Sequence, residues 1–476
     1  MRTNLRSNAG THFRVLSDEQ CEQITSAAFE VLQQVGARFH EPEAIEALVK
    51  AGCACEGNKV RFPAGLIGEA LNRVPPRFSL YRRTGEPAIK VQANRAHFGP
   101  GPTCPNFVDP WTRQRRPFVK QDAALTARVC DALPNIDYVM SLGSISDVPQ
   151  DKADIHEFDA MVRQTTKPIM SWSFSRRSLS RIHEMCAAIK GSKEAFAREP
   201  FMIFYAEPSS PLKHSAEALR KLLYCAEHRI PLVYAPCPIA GATAPATLAG
   251  VLVQNLAETL GGVVLSQILA PGTPIVVGGV MSVLDMRTTI LSYGAPELAL
   301  LSAAATEVAR HLGLPMFSTA GCTDSKCFDE QAAVEATASV IVAALSGASF
   351  IHDVGFIESA MTGSLDLLVM SDEVIGMARH IAGGIRVDDE TLAVGAIAEA
   401  ADTGDYLAME HTAKHFRREF WFPGLMDRRR HGEWAADGGK TLGDRVGEKV
   451  RRLIAEHRAP PLPADAVGRL EQILSQ

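Results

Sequence analysis

Eight short apolar runs recur along the chain, and between them the apolar positions fall at helical spacing rather than in alternation. The runs are 96–101 (AHFGPG), 136–144 (IDYVMSLGS), 167–175 (KPIMSWSFS), 200–208 (PFMIFYAEP), 230–238 (IPLVYAPCP), 273–281 (TPIVVGGVM), 314–321 (LPMFSTAG) and 348–356 (ASFIHDVGF). Helices are predicted over 122–133, 155–164, 177–190, 215–228, 247–269, 296–312, 329–346 and 371–383. Strand and helix in strict alternation require a parallel sheet with right-handed crossovers. Eight such units predict an α/β fold, a closed (β/α)8 TIM barrel over residues 96–384, with functional residues at the C-terminal ends of its strands. An open doubly wound sheet is the competing architecture. No strand here runs into a G-x-G-x-x-G phosphate loop, and Gly278-Gly279 is a lone pair, so the closed barrel is favoured.

Two flanking regions follow from the same pattern. Residues 1–95 open on a capping signature, Ser17-Asp18-Glu19-Gln20. Apolar positions Ile24, Ala27, Ala28, Val31, Leu32 and Val35 follow at helical spacing, and hairpin-like pieces come around Val60-Arg61-Phe62 and Leu80-Tyr81-Arg82. Residues 385–476 are charged and helix-forming, with an aromatic stretch at 416–422 (FRREFWF) and a final helix over 463–474. The aromatic stretch is either core against the barrel or a contact between copies, and a homo-oligomer is expected.

Composition narrows the partners. With 46% hydrophobic and 22% charged residues and a net charge of -5, the 476-residue chain has no long-range attraction for nucleic acid or anionic lipid. The basic clusters at Arg113, Arg115 and Arg116 and at Arg428, Arg429 and Arg430 read as solvated or interface faces. The N-terminal MRTNLRSNAG lacks the apolar core of a signal peptide, and the apolar stretch 248–269 is interrupted by Gln254, Asn255, Glu258 and Gln267, so a cytoplasmic protein with no membrane span is expected. Ten cysteines, among them Cys53-x-Cys55 and Cys322-x4-Cys327 but no CxxC, match neither a disulfide framework nor a structural zinc spacing and are expected as reduced thiols.

The strand ends carry the candidate chemistry: Pro100 and Pro102, Ser144 and Asp147, Trp172 and Phe174, Tyr205 and Glu207, Cys237, Gly279 and Met281, residues 319–326, then His352, Asp353 and Phe356. An aromatic rim with few charges suits a ligand that is cationic yet has no proton to give, because the face of Trp, Tyr or Phe attracts a quaternary ammonium. Glu207 would add charge compensation. The same aromatics would serve equally as filling for the barrel layers. The pair His352-Asp353 is a candidate for acid-base work or ligand contact. A metal hydrolase is not supported, since the chain has no H-x-H or H-E-x-x-H and a catalytic metal needs about three protein ligands. The polar segment 321–331, with Asp324 and Lys326, enters a helix for which Asp329 is the expected N-cap. Lys326 lies in a polar loop rather than the apolar setting a Schiff-base lysine requires.

The run 318–336 (STAGCTDSKCFDEQAAVEA), with 347–356 (GASFIHDVGF), 116–139 (RPFVKQDAALTARVCDALPNIDYV) and the SWSFS strand, resembles the trimethylamine methyltransferase family, over roughly residues 16–422. The branch it resembles lacks pyrrolysine. The resemblance implies a TIM-barrel methyltransferase that moves a methyl group from an amine to the cobalt of a separate corrinoid protein, with no cofactor bound tightly in this chain. Family members without pyrrolysine are similar to enzymes that demethylate quaternary amines such as glycine betaine, proline betaine or carnitine, and this chain has only standard residues, which argues against trimethylamine. On this reading Trp172, Phe174, Tyr205 and Phe356 form the ammonium cage, and Glu207 and His352 are the catalytic pair, Glu207 compensating charge and His352 facing the substrate's carboxylate. Asp353, Asp324 and Lys326 complete the substrate contacts. Methyl transfer directly to a folate, and a non-catalytic betaine-binding barrel, are the competing functions.

Overall fold

Seven of the predicted runs form one parallel sheet in the computed structural model, which describes residues 11–476. The N-terminal MRTNLRSNAG therefore lies outside the described residues. The strand order is His97–Phe98, Phe350–His352, Met316–Thr319, Ile275–Gly278, Leu232–Tyr234, Met202–Ala206 and Ile169–Ser171, each neighbour parallel to the next. The remaining run, 136–144, closes the ring without regular strand geometry. On one side the Asp137 N–H donates to Phe98 O (2.7 Å) and the Leu142 N–H to Gly101 O (2.8 Å); on the other, Val139 exchanges bonds with Pro168 O and the Met170 N–H (2.9 Å each). Leu142 takes a left-handed conformation (φ +73°), which breaks the ladder at that point. The barrel is thus a TIM barrel with one irregular stave.

The crossover helices fall close to the predicted spans, including Arg176–Lys190, Ala216–Glu227, Leu248–Leu269 and Glu330–Ser346. Asp329 caps the last of these by accepting from the Ala332 N–H (3.0 Å). The final barrel helix runs Leu365–Ala382 rather than from 371, with Ser364 accepting from the Leu367 N–H (3.2 Å). Its first turns, LDLLVM, are buried all round, so no amphipathic stripe marks them in the sequence. Near the N-terminus, Ser17 and Gln20 form the reciprocal cap of helix Asp18–Glu30, but the predicted single helix ends in a π-turn, Val31–Val35. Gly36 stops it at φ +76°, where a side chain would strike Val60 O.

Helix Leu248–Leu269 is long and apolar enough to cross a membrane, yet residues 255–267 are buried within the protein. Its apolar length is core. The C-terminal region divides in two. Helix Leu442–Glu456 buries Val446, Val450 and Ile454 and packs on Lys120–Ala132 and Leu365–Ala382, while Ala464–Ser475 packs on Arg176–Lys190. The aromatic stretch, by contrast, is not core. Helix Glu410–Glu419 has no buried residue, and Phe420 and Phe422 are 60% and 59% exposed. All ten cysteines are free.

Candidate active site

Side chains alternate along a strand, so the residue that faces the barrel interior at one position returns two positions on. Met170 and, partly, Trp172 belong to one interior cluster with Ile203, Tyr205, Val233, Val276, Phe317 and Phe350, while Ile169, Met202 and Phe204 pack outward against the helices. The same parity carries the interior face from Ile203 and Tyr205 up to Glu207. At this level the barrel opens into a cavity of about 290 Å³ lined by Pro102, Thr103, Trp172, Ser173, Phe174, Tyr205, Glu207, Glu217 and Lys221. Thr103, Phe174 and Glu207 are exposed, so the cavity is open to solvent at the strand ends. Four of the expected residues, Trp172, Phe174, Tyr205 and Glu207, therefore share one hollow.

The aromatic wall is held from outside the barrel. The indole N–H of Trp172 donates to Glu157 Oε1 (2.8 Å), and the Phe174 N–H donates to Asp154 Oδ2 (2.8 Å). Both acids come from helix Ala153–Val162, spaced three residues apart so that they lie on one face. The Trp172 and Phe174 rings meet edge to face at 4.7 Å. Burial drives the Glu157 carboxyl up to about 8, a shift that Asp154 adds to and the Ser141 and Trp172 hydrogen bonds oppose. Glu157 is thus largely protonated at neutral pH, and the wall behind the indole carries little charge. The Tyr205 hydroxyl donates to Glu207 Oε2 (3.2 Å). Glu207 reaches the water of the mouth, but the surrounding walls strip enough solvent to raise its pKa, against the pull of Tyr205 and Lys221.

His352 and Asp353 sit beneath this cavity rather than in it, and both are buried. His352 Nδ1 lies 3.0 Å from Ser318 O and 3.2 Å from Thr319 Oγ1, and its Nε2 is 3.2 Å from Asp353 Oδ1. Successive strand residues normally point to opposite faces. The left-handed φ of Asp353, +70°, brings its carboxyl round to its neighbour. Burial lowers His352 to about 3, and burial followed by repulsion from Glu207 raises Asp353 well above the usual carboxylate range. His352 is accordingly uncharged at neutral pH, and the proton on its Nδ1, placed there by the carbonyl it faces, points at Ser318 O. Buried and outside the lining of the cavity, His352 is not among the expected residues that share the hollow. It packs instead against Phe317 (4.1 Å between ring centres) and beside Tyr205 (6.3 Å).

The other expected contacts also move. Phe356 is fully buried against Gly101 rather than lining the cavity. Asp324 ties loops together, accepting from the Tyr293 N–H and the Ser359 hydroxyl (2.7 Å each) and from Ser292, and Lys326 is exposed in its loop. Arg113 pairs with Asp366, and Arg116 with Asp109 and Asp122, so that basic cluster laces loops to helices. Glu157, Asp154 and Lys221 are the residues that sequence reasoning missed. Their only signal is charge on helix positions next to buried ones, and nothing local says which strand they face. Among the described residues no group of three or more His, Cys, Asp or Glu could hold a metal ion.

The sequence profile of the family described as trimethylamine methyltransferase (MTTB) matches residues 3–476. The chain belongs to the trimethylamine methyltransferase family. Among its relatives, trimethylamine methyltransferase MttB of Methanosarcina thermophila is 32% identical over 473 residues, covering 97% of each chain. Glycine betaine methyltransferase of Desulfitobacterium hafniense (strain Y51) is 28% identical, covering 98% of this chain and 97% of that one. Among solved structures, the monomethylamine methyltransferase of Methanosarcina barkeri superposes with a TM-score of 0.55 at 14% identity, over 93% of this chain and 88% of that one, a likeness of fold. Membership of this methyltransferase family makes an enzyme of the barrel whose mouth is described above.

Proposed function

We propose that this family member transfers a methyl group from a quaternary amine, glycine betaine or a close analogue, to the Co(I) centre of a corrinoid protein. The observation that carries the reading is the shared cavity of Trp172, Phe174, Tyr205 and Glu207, in which three aromatic side chains and a carboxylate, with Glu217 and Lys221 beside them, line a hollow open to solvent. A quaternary ammonium cannot be bound by donating a hydrogen bond, so aromatic faces and a carboxylate are the groups that hold it. The names of the relatives, which include a glycine betaine and a trimethylamine methyltransferase, support the same substrate class.

The corrinoid supplies the nucleophile, delivered by its own protein, and the open mouth beside Phe174 (38% exposed) fits such an approach from outside. When the C–N bond breaks its electron pair stays on nitrogen, the amine leaves neutral, and no proton has to move. The residues of this chain then have one task, to hold the ammonium so that one methyl points out of the mouth. Trp172 and Tyr205 form the cage, with Phe174 at its rim. Glu207 balances the charge, and the uncharged ring of His352 stands beside Tyr205. The reading also keeps the chain in the cytoplasm, in line with its ten free thiols. Copies of the chain associate through the exposed aromatic stretch, because a corrinoid partner that must leave in every turnover cannot cover it continuously.

The test is a methyl-transfer assay with glycine betaine and a reduced corrinoid protein, followed by the absorbance of the cobalt centre. Transfer is expected with the corrinoid acceptor and not with tetrahydrofolate alone. Transfer to tetrahydrofolate alone would replace the acceptor, and tight binding with transfer to neither would make the chain a betaine-binding barrel. Trp172→Leu and Glu207→Gln should each lower kcat/KM at least tenfold, given about 2 kcal/mol for a dry cation–π contact; wild-type rates in both variants would remove the cage.

A further inference from the structure

The cavity holds two opposite charges that do not meet. Glu207 is engaged by the Tyr205 hydroxyl (3.2 Å), and Lys221 donates to Ser173 O (2.7 Å). Both line the hollow, yet among the described residues neither forms a salt bridge, although the lysine is close enough to stabilise the Glu207 carboxylate. The third charged residue of the lining, Glu217, gives one carboxylate oxygen to Arg220 (2.8 Å) and acts on Lys221 through its charge more strongly than Glu207 does, without a salt bridge to it. An acid and a base that line one small cavity without a salt bridge between them are both open to a ligand, and a ligand that meets both carries a cation and an anion in the same molecule.

We infer that Lys221 is a specificity-determining residue that receives the carboxylate of a zwitterionic quaternary amine whose ammonium sits at Trp172, Tyr205 and Glu207. The inference rests on the quaternary-amine reading above and adds to it which half of that class the site prefers. One Lys221 proton is directed at Ser173 O and leaves the others for a ligand oxygen. The Lys221 side chain is half-buried, its ammonium 6.0 Å above the Phe204 ring, so a carboxylate reaching it exchanges water for a charge-assisted bond in a place where such bonds are strong. Choline, which has the same trimethylammonium head and a hydroxyl in place of the carboxylate, would offer Lys221 no charge-assisted bond.

The experiment is isothermal titration calorimetry of glycine betaine and of choline against the wild type, Lys221→Gln and Lys221→Arg. Gln keeps a donor for Ser173 O and removes the charge. The wild type is expected to bind glycine betaine at least tenfold more tightly than choline. In Lys221→Gln that ratio should fall at least tenfold, and in Lys221→Arg it should be largely kept. The ratio is read within one protein sample, so a loss of folded material lowers the stoichiometry for both ligands and leaves the ratio unchanged. Equal affinities in the wild type, or a ratio that survives in Lys221→Gln, would overturn the role of Lys221 while leaving the aromatic cage in place. Binding of neither ligand to the folded wild type would overturn the cage itself and this inference with it.

Discussion

Trp172 leans on a carboxyl that burial has moved far from its ordinary value, and this makes the wall of the cavity sensitive to pH. Glu157 titrates near 8 in the folded protein against an ordinary value of 4.5. Between those values the folded state holds a proton that the unfolded chain has released, so its contribution is complete below about pH 4.5 and is lost as the pH rises through 8. Stability should fall across that window by up to about 1.4 kcal/mol per pH unit from this group alone. Glu157→Gln keeps an acceptor for the indole and removes the titration, so urea midpoints measured from pH 5 to 8 should be flatter in the variant than in the wild type. An identical slope would show that Glu157 is not the group responsible. At this scale the sequence is informative where a strand sets the direction. Trp172, Tyr205 and Glu207 are legible because a two-residue period fixes which side chains share a face, whereas Glu157 and Lys221 sit on helices whose rotation about the strands is a matter of packing.

At the scale of elements, close approach between the end of one strand and the next is what shapes the floor of the site. Gly101 follows strand His97–Phe98, and a Cβ there would collide with the Asp353 carboxyl and the Phe356 ring. Gly101→Ala should therefore destabilise the fold by about 1–3 kcal/mol, the usual range for overpacking, seen as a lower urea midpoint. It should also weaken betaine binding, because the displaced Asp353 carboxyl lies 3.2 Å from the His352 ring that stands beside Tyr205. Full stability in the variant would mean that the strand end yields freely. The helices were legible from their apolar period and caps, as at Ser17 and Asp329. The stave 136–144 was legible as an apolar run but not as an irregular one, because its break at Leu142 answers to neighbours on both sides.

For the whole molecule, the exposed aromatic stretch predicts self-association. Phe420 and Phe422 are exposed, as are Leu407 and Val394 earlier in the C-terminal region, and large apolar side chains left in water favour association. Sedimentation velocity should find the wild type as an oligomer and Phe420→Ser/Phe422→Ser shifted toward monomer; a monomeric wild type would end that expectation. The sequence by itself determined the barrel, the helices around it and the end of the barrel at which to look, because hydrophobic period, turn chemistry and chain alternation are local properties of order along the chain. The tertiary structure alone decided which expected residues face the hollow, that His352 and Asp353 are buried outside its lining, and that Lys221 lines it together with Glu207. Burial and the distance between charges arise from segments far apart in sequence, and no local pattern encodes them.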